Sequence, residues 1–415
     1  MILVLAYRPW PTDDEPRAVE WWGIVALGAI ALQLVPLPGP IIDRLSPAAR
    51  RTWQALSLGS VGGPLPISID LSSTTWALGV FAGSLAVFVL ARYVFTYGGV
   101  RVVARGIASI GLILSAICLA QDATGHGLIY WRWAPPFQVA PPFGPFLNRN
   151  HFATWAVMAV PATLGYLLAH GSAHTHRHTD RVNWRQAVMA LFDARSIWLS
   201  ASVVLMLVGL VVSQSRAGMA GMAAALVLGV WLSGRERDAP PSRWAIAALA
   251  LAGLAAIIRF NPIDLYHRFG AVGVAAADRA AIWRATFPVI REFWLTGTGA
   301  GTFETAMLVY QRTPSLFRIN AAHNHYLQVA AEGGLLVTVP VVCALACFAR
   351  ASSRALAQDR SGMYLLRVGA VSGLAGVAVQ SIWETGLATP ANAVLAAALA
   401  AIVIHRSSHV VRTGD

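Results

Sequence analysis

Ten stretches of mainly apolar residues dominate this chain, at roughly 22–39, 76–97, 101–120, 152–170, 196–213, 217–233, 243–259, 325–349, 363–382 and 388–405. Each has about the 20 residues a helix needs to cross the hydrocarbon core of a bilayer. A bilayer offers exposed backbone no hydrogen-bond partner, so such segments must span it as helices and pack together. Of 415 residues only 12% are charged and 56% are hydrophobic, whereas a soluble domain carries about 25% charged residues. No soluble core absorbs that much apolar sequence. The expectation is an all-α polytopic membrane protein with about ten transmembrane helices, forming one integral domain over residues 1–415. Met1–Ala6 is apolar, but Arg8 and Asp13–Glu15 follow at once, so no secretory signal pattern is present. Cys118, Cys343 and Cys347 all fall inside apolar segments and read as small buried hydrophobes.

A net charge of +12 would suggest nucleic acid in a soluble chain. Here the charge sits in short loops and has to be read as topology, which leaves no role for nucleic acid. All 31 basic residues are arginine. With a cytoplasmic N-terminus, 18 of them fall on the inside and 6 on the outside, apart from seven in residues 259–323. Cytoplasmic loops carry the excess of basic residues, so the orientation is N-in, C-in. The segment 259–323 is then a long outer loop, holding Arg259, Arg268, Arg279, Arg284, Arg291, Arg312 and Arg318 against four carboxylates. Positive charge there runs against the orientation signal and points to an anionic ligand.

Four polar clusters lie at outer helix ends. Ile197–Leu232 is too long for one span and must turn at Ser213-Gln214-Ser215-Arg216, which sets Arg216 where a helix enters the bilayer. A snorkelling arginine would look the same. In the long loop, Arg279 and Trp283 share a helix face at i and i+4, with Arg284 beside them. The run Gly297-Thr298-Gly299-Ala300-Gly301 permits a tight turn whose N–H groups suit an anion; an amphipathic helix on the membrane surface is the plainer alternative. At the re-entry, His323-Asn324-His325-Tyr326-Leu327 begins a helix on which Asn324, Gln328 and Glu332 form a polar stripe. A carboxylate inside a membrane is costly and marks function by default, commonly paired with arginine, and a histidine side chain titrates near neutrality. Asn148-Arg149-Asn150-His151 opens another helix, where Asn150 is a natural cap. The outer segments offer no DxD pair or His/carboxylate cluster with metal-ligand spacing. His174, His176 and His178 lie in the linker at 171–195, which reads as a solvated inner loop.

The motifs Asn148–Ala153, Ser213–Gly218, Arg279–Gly301 and His323–Leu327 together resemble the O-antigen ligase and O-antigen polymerase superfamily of bacterial membrane glycosyltransferases, over roughly residues 146–340. The resemblance implies a C-type, metal-independent glycosyltransferase in the bacterial inner membrane, with its site facing the periplasm, 259–323 as its catalytic loop and no cofactor. Its donor would be a glycan on undecaprenyl pyrophosphate, and its acceptor a glycan, lipid A-core or a protein. By position, Arg216 and Arg279 match the arginines that bind the pyrophosphate, and His323 matches the catalytic histidine. Arg149, Asn150, Arg284, Asn324 and Glu332 are further candidates for substrate contact or support.

The chief alternative is a transporter or flippase for an anionic or lipid-linked solute. Against it stand the few charges near mid-membrane and the absence of a half-helix signature. A non-catalytic partner in a polysaccharide export complex would make the arginine and histidine clusters dispensable.

Overall fold

The computed structural model describes residues 14–59, 62–125, 127–134, 142–175, 193–234, 272–311 and 319–405. Among them the chain is all-helical: α1 (Asp14–Gln33), α2 (Gly39–Leu45), α3 (Pro47–Leu56), α4 (Leu71–Thr96), α5 (Val100–Thr124), α6 (Arg149–Thr175), α7 (Ala194–Val212), α8 (Arg216–Ser233), α9 (Val272–Glu292), α10 (Phe303–Tyr310), α11 (His325–Gln358), α12 (Tyr364–Gln380) and α13 (Pro390–Ile404). Six of these helices (α4 to α8 and α11) are long and apolar enough to cross a membrane, and α12 and α13 are shorter apolar helices. The chain is a multi-pass membrane protein. The expected span at 243–259, the first part of the outer loop and most of the histidine-bearing linker lie outside the described residues.

Every other expected segment within the described residues is helical, but the first is displaced. α1 runs from Asp14 to Gln33 instead of 22–39. Pro36 and Pro38, which fix φ and lack an N–H, do not belong to it. The chain then forms two short helices, α2 and α3. Of the cysteines, Cys118 is buried while Cys343 and Cys347 are only partly so.

The chain divides into two compact units. The second comprises residues 90–269, 352–380 and 394–415. Its axis is α6, packed against α5, α7, α8 and α12. Helix association within a bilayer relies on close van der Waals packing, for which small residues are suited. α12 lays Gly369 on the Pro161 carbonyl of α6, Gly373 on that of Met158, and Gly376 on that of Gly221 in α8. A buried arginine, Arg367, holds the Asp359 carboxylate at 2.8 Å and donates to the Val403 and His405 carbonyls at the end of α13.

The first unit comprises residues 1–89, 270–351 and 381–393. One of its cores gathers Ile42 and Ala49 from α2 and α3, Val289 and Phe293 from α9, and Phe303 and Met307 from α10. Within α11 the backbone leaves helical geometry at Gly334, whose φ is 53° and ψ −160°. α11 is thus broken within its apolar run. Broken backbone at membrane depth needs replacement partners, and residues 294–301 supply them. Leu335 and Leu336 donate their N–H groups to the Trp294 and Leu295 carbonyls, while Thr298 and Gly299 donate to those of Ala331 and Glu332.

Candidate functional site

In the first unit, α9 carries the Arg279 face to the re-entry segment. The Trp283 indole N–H donates to the Ala322 carbonyl at 3.0 Å, and Arg279 sits one turn earlier on the same helix face. The bond ties α9 to the residue before His323, and Arg279, 44 positions upstream of His323 in sequence, lies one turn from Trp283 on that helix. Arg284 stands five residues past Arg279, about 140° around a helix of 3.6 residues per turn, and donates to the Ala280 carbonyl of its own helix at 3.3 Å.

His323 has a left-handed backbone, with φ at 48°, sparsely populated for a residue bearing a Cβ. Such strain, where the surroundings hold it, collects at functional positions. Its Nδ1 lies 3.5 Å from the Glu384 carboxylate, which is 1% exposed whereas the imidazole is 31% exposed. Glu384 occupies the irregular stretch between α12 and α13, and sequence reasoning missed it. The available signal was an acid beside Trp383 in a short turn between two apolar segments. Asn324 caps α11: its Oδ1 accepts from the Leu327 N–H at 3.0 Å. Gln328 reaches both ways, accepting from the Ala322 N–H and donating to Glu332.

Among the described residues, Glu332 makes no ion pair with an arginine. Its carboxylate accepts the Gly301 N–H at 2.7 Å, the Phe303 N–H at 3.2 Å and the Gln328 amide at 3.0 Å. The glycine run takes positive φ at Gly297, Gly299 and Gly301, as a tight turn requires. Its N–H groups, expected to suit an outside anion, are already engaged: Gly297 to Phe293, Ala300 to the Gln33 amide oxygen, and Gly301 to Glu332. The acceptor this loop holds is the Glu332 carboxyl of the protein itself. Gln33 of α1 closes the knot by donating to the Thr296 and Glu332 carbonyls at 2.8 and 2.9 Å. A single glutamine in an apolar helix had not stood out. At the far side of the same loop, Asp70 caps α4 through the N–H groups of Ser72 and Ser73 and accepts from Thr305 on α10. Partial burial pushes the Asp70 carboxyl up, but hydrogen bonds from Ser73, Ser72 and Thr305 outweigh it and hold it below its ordinary value.

In the second unit, Arg149 and Arg216 each open a helix. Ser215 caps α8 by accepting the Gly218 N–H at 3.2 Å. For α6 the cap is Asn148, whose Oδ1 accepts from the Asn150 N–H at 2.9 Å, so Asn148 takes the capping role expected of Asn150. Gly218 abuts the Ala153 side chain, which sets the first turns of α6 and α8 together and brings Arg149 and Arg216 to the same end of this unit. The approach to α6 is fixed from α5, where Gln121 donates to the Gly144 carbonyl at 2.9 Å and accepts from the Tyr130 N–H at 2.7 Å.

A multi-pass helical membrane protein with arginines at helix starts and a histidine–carboxylate pair at a helix re-entry is the class these features define. Residues 201–342, about a third of the chain, match the family described as O-antigen ligase. The match contains Arg216, Arg279, Arg284, His323, Asn324 and Glu332, and leaves out Arg149, Asn150 and Glu384. No curated protein matches the chain. That match supports a glycosyltransferase-like activity of the O-antigen ligase type.

Proposed function

We propose that this protein is a metal-independent glycosyltransferase of the bacterial inner membrane that moves a glycan from undecaprenyl pyrophosphate to an acceptor hydroxyl at the periplasmic face. In this reading the chain runs N-in to C-in through about ten helices, with 259–323 as the catalytic loop. The observation that carries it is the Trp283–Ala322 hydrogen bond, which supports Arg279 and His323 acting on one substrate. Displacing a pyrophosphate from an anomeric carbon puts negative charge on the leaving group, and fixed cations aimed at that charge lower the barrier. Arg216 and Arg279 supply them, each able to hold phosphate oxygens with a forked guanidinium. His323 takes the proton of the acceptor hydroxyl as its oxygen bonds to the anomeric carbon. The carbon–oxygen bond to the pyrophosphate breaks in the same displacement, and the lipid pyrophosphate leaves with the electron pair. Arg149 and Asn150 contact glycan or phosphate, Asn324 and Glu332 hold the His323 segment and its loop, and Arg284 plays at most a minor part. The acceptor is a glycan, lipid A-core or a protein.

The transporter reading gains little from the break in α11. Among the described residues that break is filled by the 294–301 loop instead of opening onto a cavity. The test is transfer by the purified full chain, given an undecaprenyl-pyrophosphate oligosaccharide and each acceptor class in the presence of EDTA. Glycan transfer is expected, and a ladder growing from repeat units alone would identify a polymerase. Flipping or uptake of the donor with no glycan product would replace this reading with the transporter.

A further inference from the structure

Glu384 lies outside the family match, and nothing in the proposed chemistry so far uses it. It is a carboxylate with 1% of its side chain exposed, and burying an ionised carboxylate is costly without compensation. Its Oε1 accepts the Thr385 N–H at 3.2 Å and faces Nδ1 of His323 at 3.5 Å. The backbone locks the two segments together: His325 donates its N–H to the Ser381 carbonyl at 2.8 Å. The turn beyond is held by Asn392, fully buried, whose amide donates to the Gly386 carbonyl at 2.9 Å. His323, in left-handed backbone, is thus presented to a carboxylate that has little freedom to move.

The elements around His323 bring few other charges. α9 brings the Trp283 indole, with Arg279 one turn along the same face. α11 brings the neutral Asn324 and Gln328, with Glu332 beyond them and committed to Gly301 and Phe303. From the 381–385 segment the acidic group is Glu384.

We propose that Glu384 is a positioning residue that turns the His323 imidazole so that Nδ1–H faces the carboxylate and Nε2 faces the acceptor hydroxyl. This rests on the reading of His323 as the base. The tautomer of a histidine is fixed by the hydrogen bond its second nitrogen makes, and a contact of 3.5 Å is of the kind that tightens once substrate is bound. When Nε2 takes the hydroxyl proton, the imidazolium and the carboxylate form a buried pair, and the charge created in the step is balanced where it arises.

The test uses the full-length protein, its Glu384→Gln, Glu384→Asp and His323→Ala variants, and two readouts. One is the pH profile of glycan transfer from an undecaprenyl-pyrophosphate oligosaccharide. The other is the pH dependence of His323 carbethoxylation by diethylpyrocarbonate, followed by peptide mass and independent of turnover. Glu384→Gln is expected to lower kcat by about 10²-fold, within the range a general base contributes, and to leave the donor KM unchanged. The pH profile of His323 modification should change in Glu384→Gln, since the carboxylate that faces Nδ1 is gone. Glu384→Asp keeps the charge and should retain most of the wild-type midpoint, which guards against a folding defect in the glutamine variant. A midpoint unchanged in Glu384→Gln, with kcat within about twofold of wild type, overturns the proposal. Full activity in His323→Ala would instead remove the base assignment, and the modification midpoint would still report whether Glu384 faces the ring.

Discussion

The two units of this molecule are held by different forces. The second is a bundle in which glycines let helices approach: Gly369 and Gly373 of α12 rest on backbone carbonyls of α6, where any side chain would collide. The first is held by polar groups acting on backbone. Gln33 and Glu332 between them engage five N–H or carbonyl groups of the 294–303 segment and the α11 break. Shape fixes the one and hydrogen bonding fixes the other. A bundle needs only to keep its helices together, whereas a loop that fills a break in a helix must be fixed in detail. An isosteric change should therefore be tolerated among the packed helices of the second unit and damaging at Gln33 or Glu332 in the first.

The largest effect should come from Glu332→Ala. It leaves the Gly301 and Phe303 N–H groups without their acceptor, at about 1–3 kcal/mol for each buried donor left unsatisfied. Thermal unfolding should shift sharply downward and transfer should vanish with it; a near-normal melting temperature would show that the loop does not depend on this carboxylate. Next is Gly369→Val in the bundle, where overpacking costs about 1–3 kcal/mol. Here stability should fall while activity per folded molecule is kept, and a loss of specific activity at unchanged stability would break the contrast.

A smaller effect follows from Asp70→Asn, which weakens a helix cap at a cost of about 1 kcal/mol. Its sign with pH is fixed by the direction of the shift. Because the Asp70 carboxyl is held below its ordinary value in the folded protein, its stabilisation is present at neutral pH and is lost as pH falls through the folded value. Melting curves of wild type and variant should converge on acidification; a gap that widens would contradict the assignment. Smallest is Arg284→Ala, a change on an exposed face expected to stay within about 0.5 kcal/mol in stability. Its effect on donor kcat/KM should be far below that of Arg279→Ala, and parity between the two would mean that both arginines reach the donor.

Much of this was legible in the sequence, and the residues explain where it was not. The hairpin turn at Ser213–Arg216 was read from one polar break in a long apolar run, and α7 ends at Val212 while α8 starts at Arg216. Helical spacing placed Arg279 and Trp283 on one face, which Trp283 uses to reach Ala322. The break in α11 was passed over although Gly333-Gly334 marks it, because the apolar run on either side satisfies the length of a single span. The glycine loop was recognised as able to hold an anion, but the acceptor it holds was settled by a contact across 31 positions between Gly301 and Glu332. Gln33 and Glu384 escaped for the same reason. Each is a single polar residue whose meaning depends on what the fold brings to it from more than 60 positions away.

The central claim is that His323, Arg216 and Arg279 carry one transfer reaction. The most direct measurement is single-turnover transfer from an undecaprenyl-pyrophosphate oligosaccharide by purified wild type, His323→Ala, Arg216→Ala and Arg279→Ala, each with its melting temperature. The account predicts melting temperatures near wild type throughout, a rate lower by about 10²–10⁴-fold in His323→Ala, and slowed transfer in both arginine variants. Near-full transfer by folded Arg216→Ala and Arg279→Ala would contradict it.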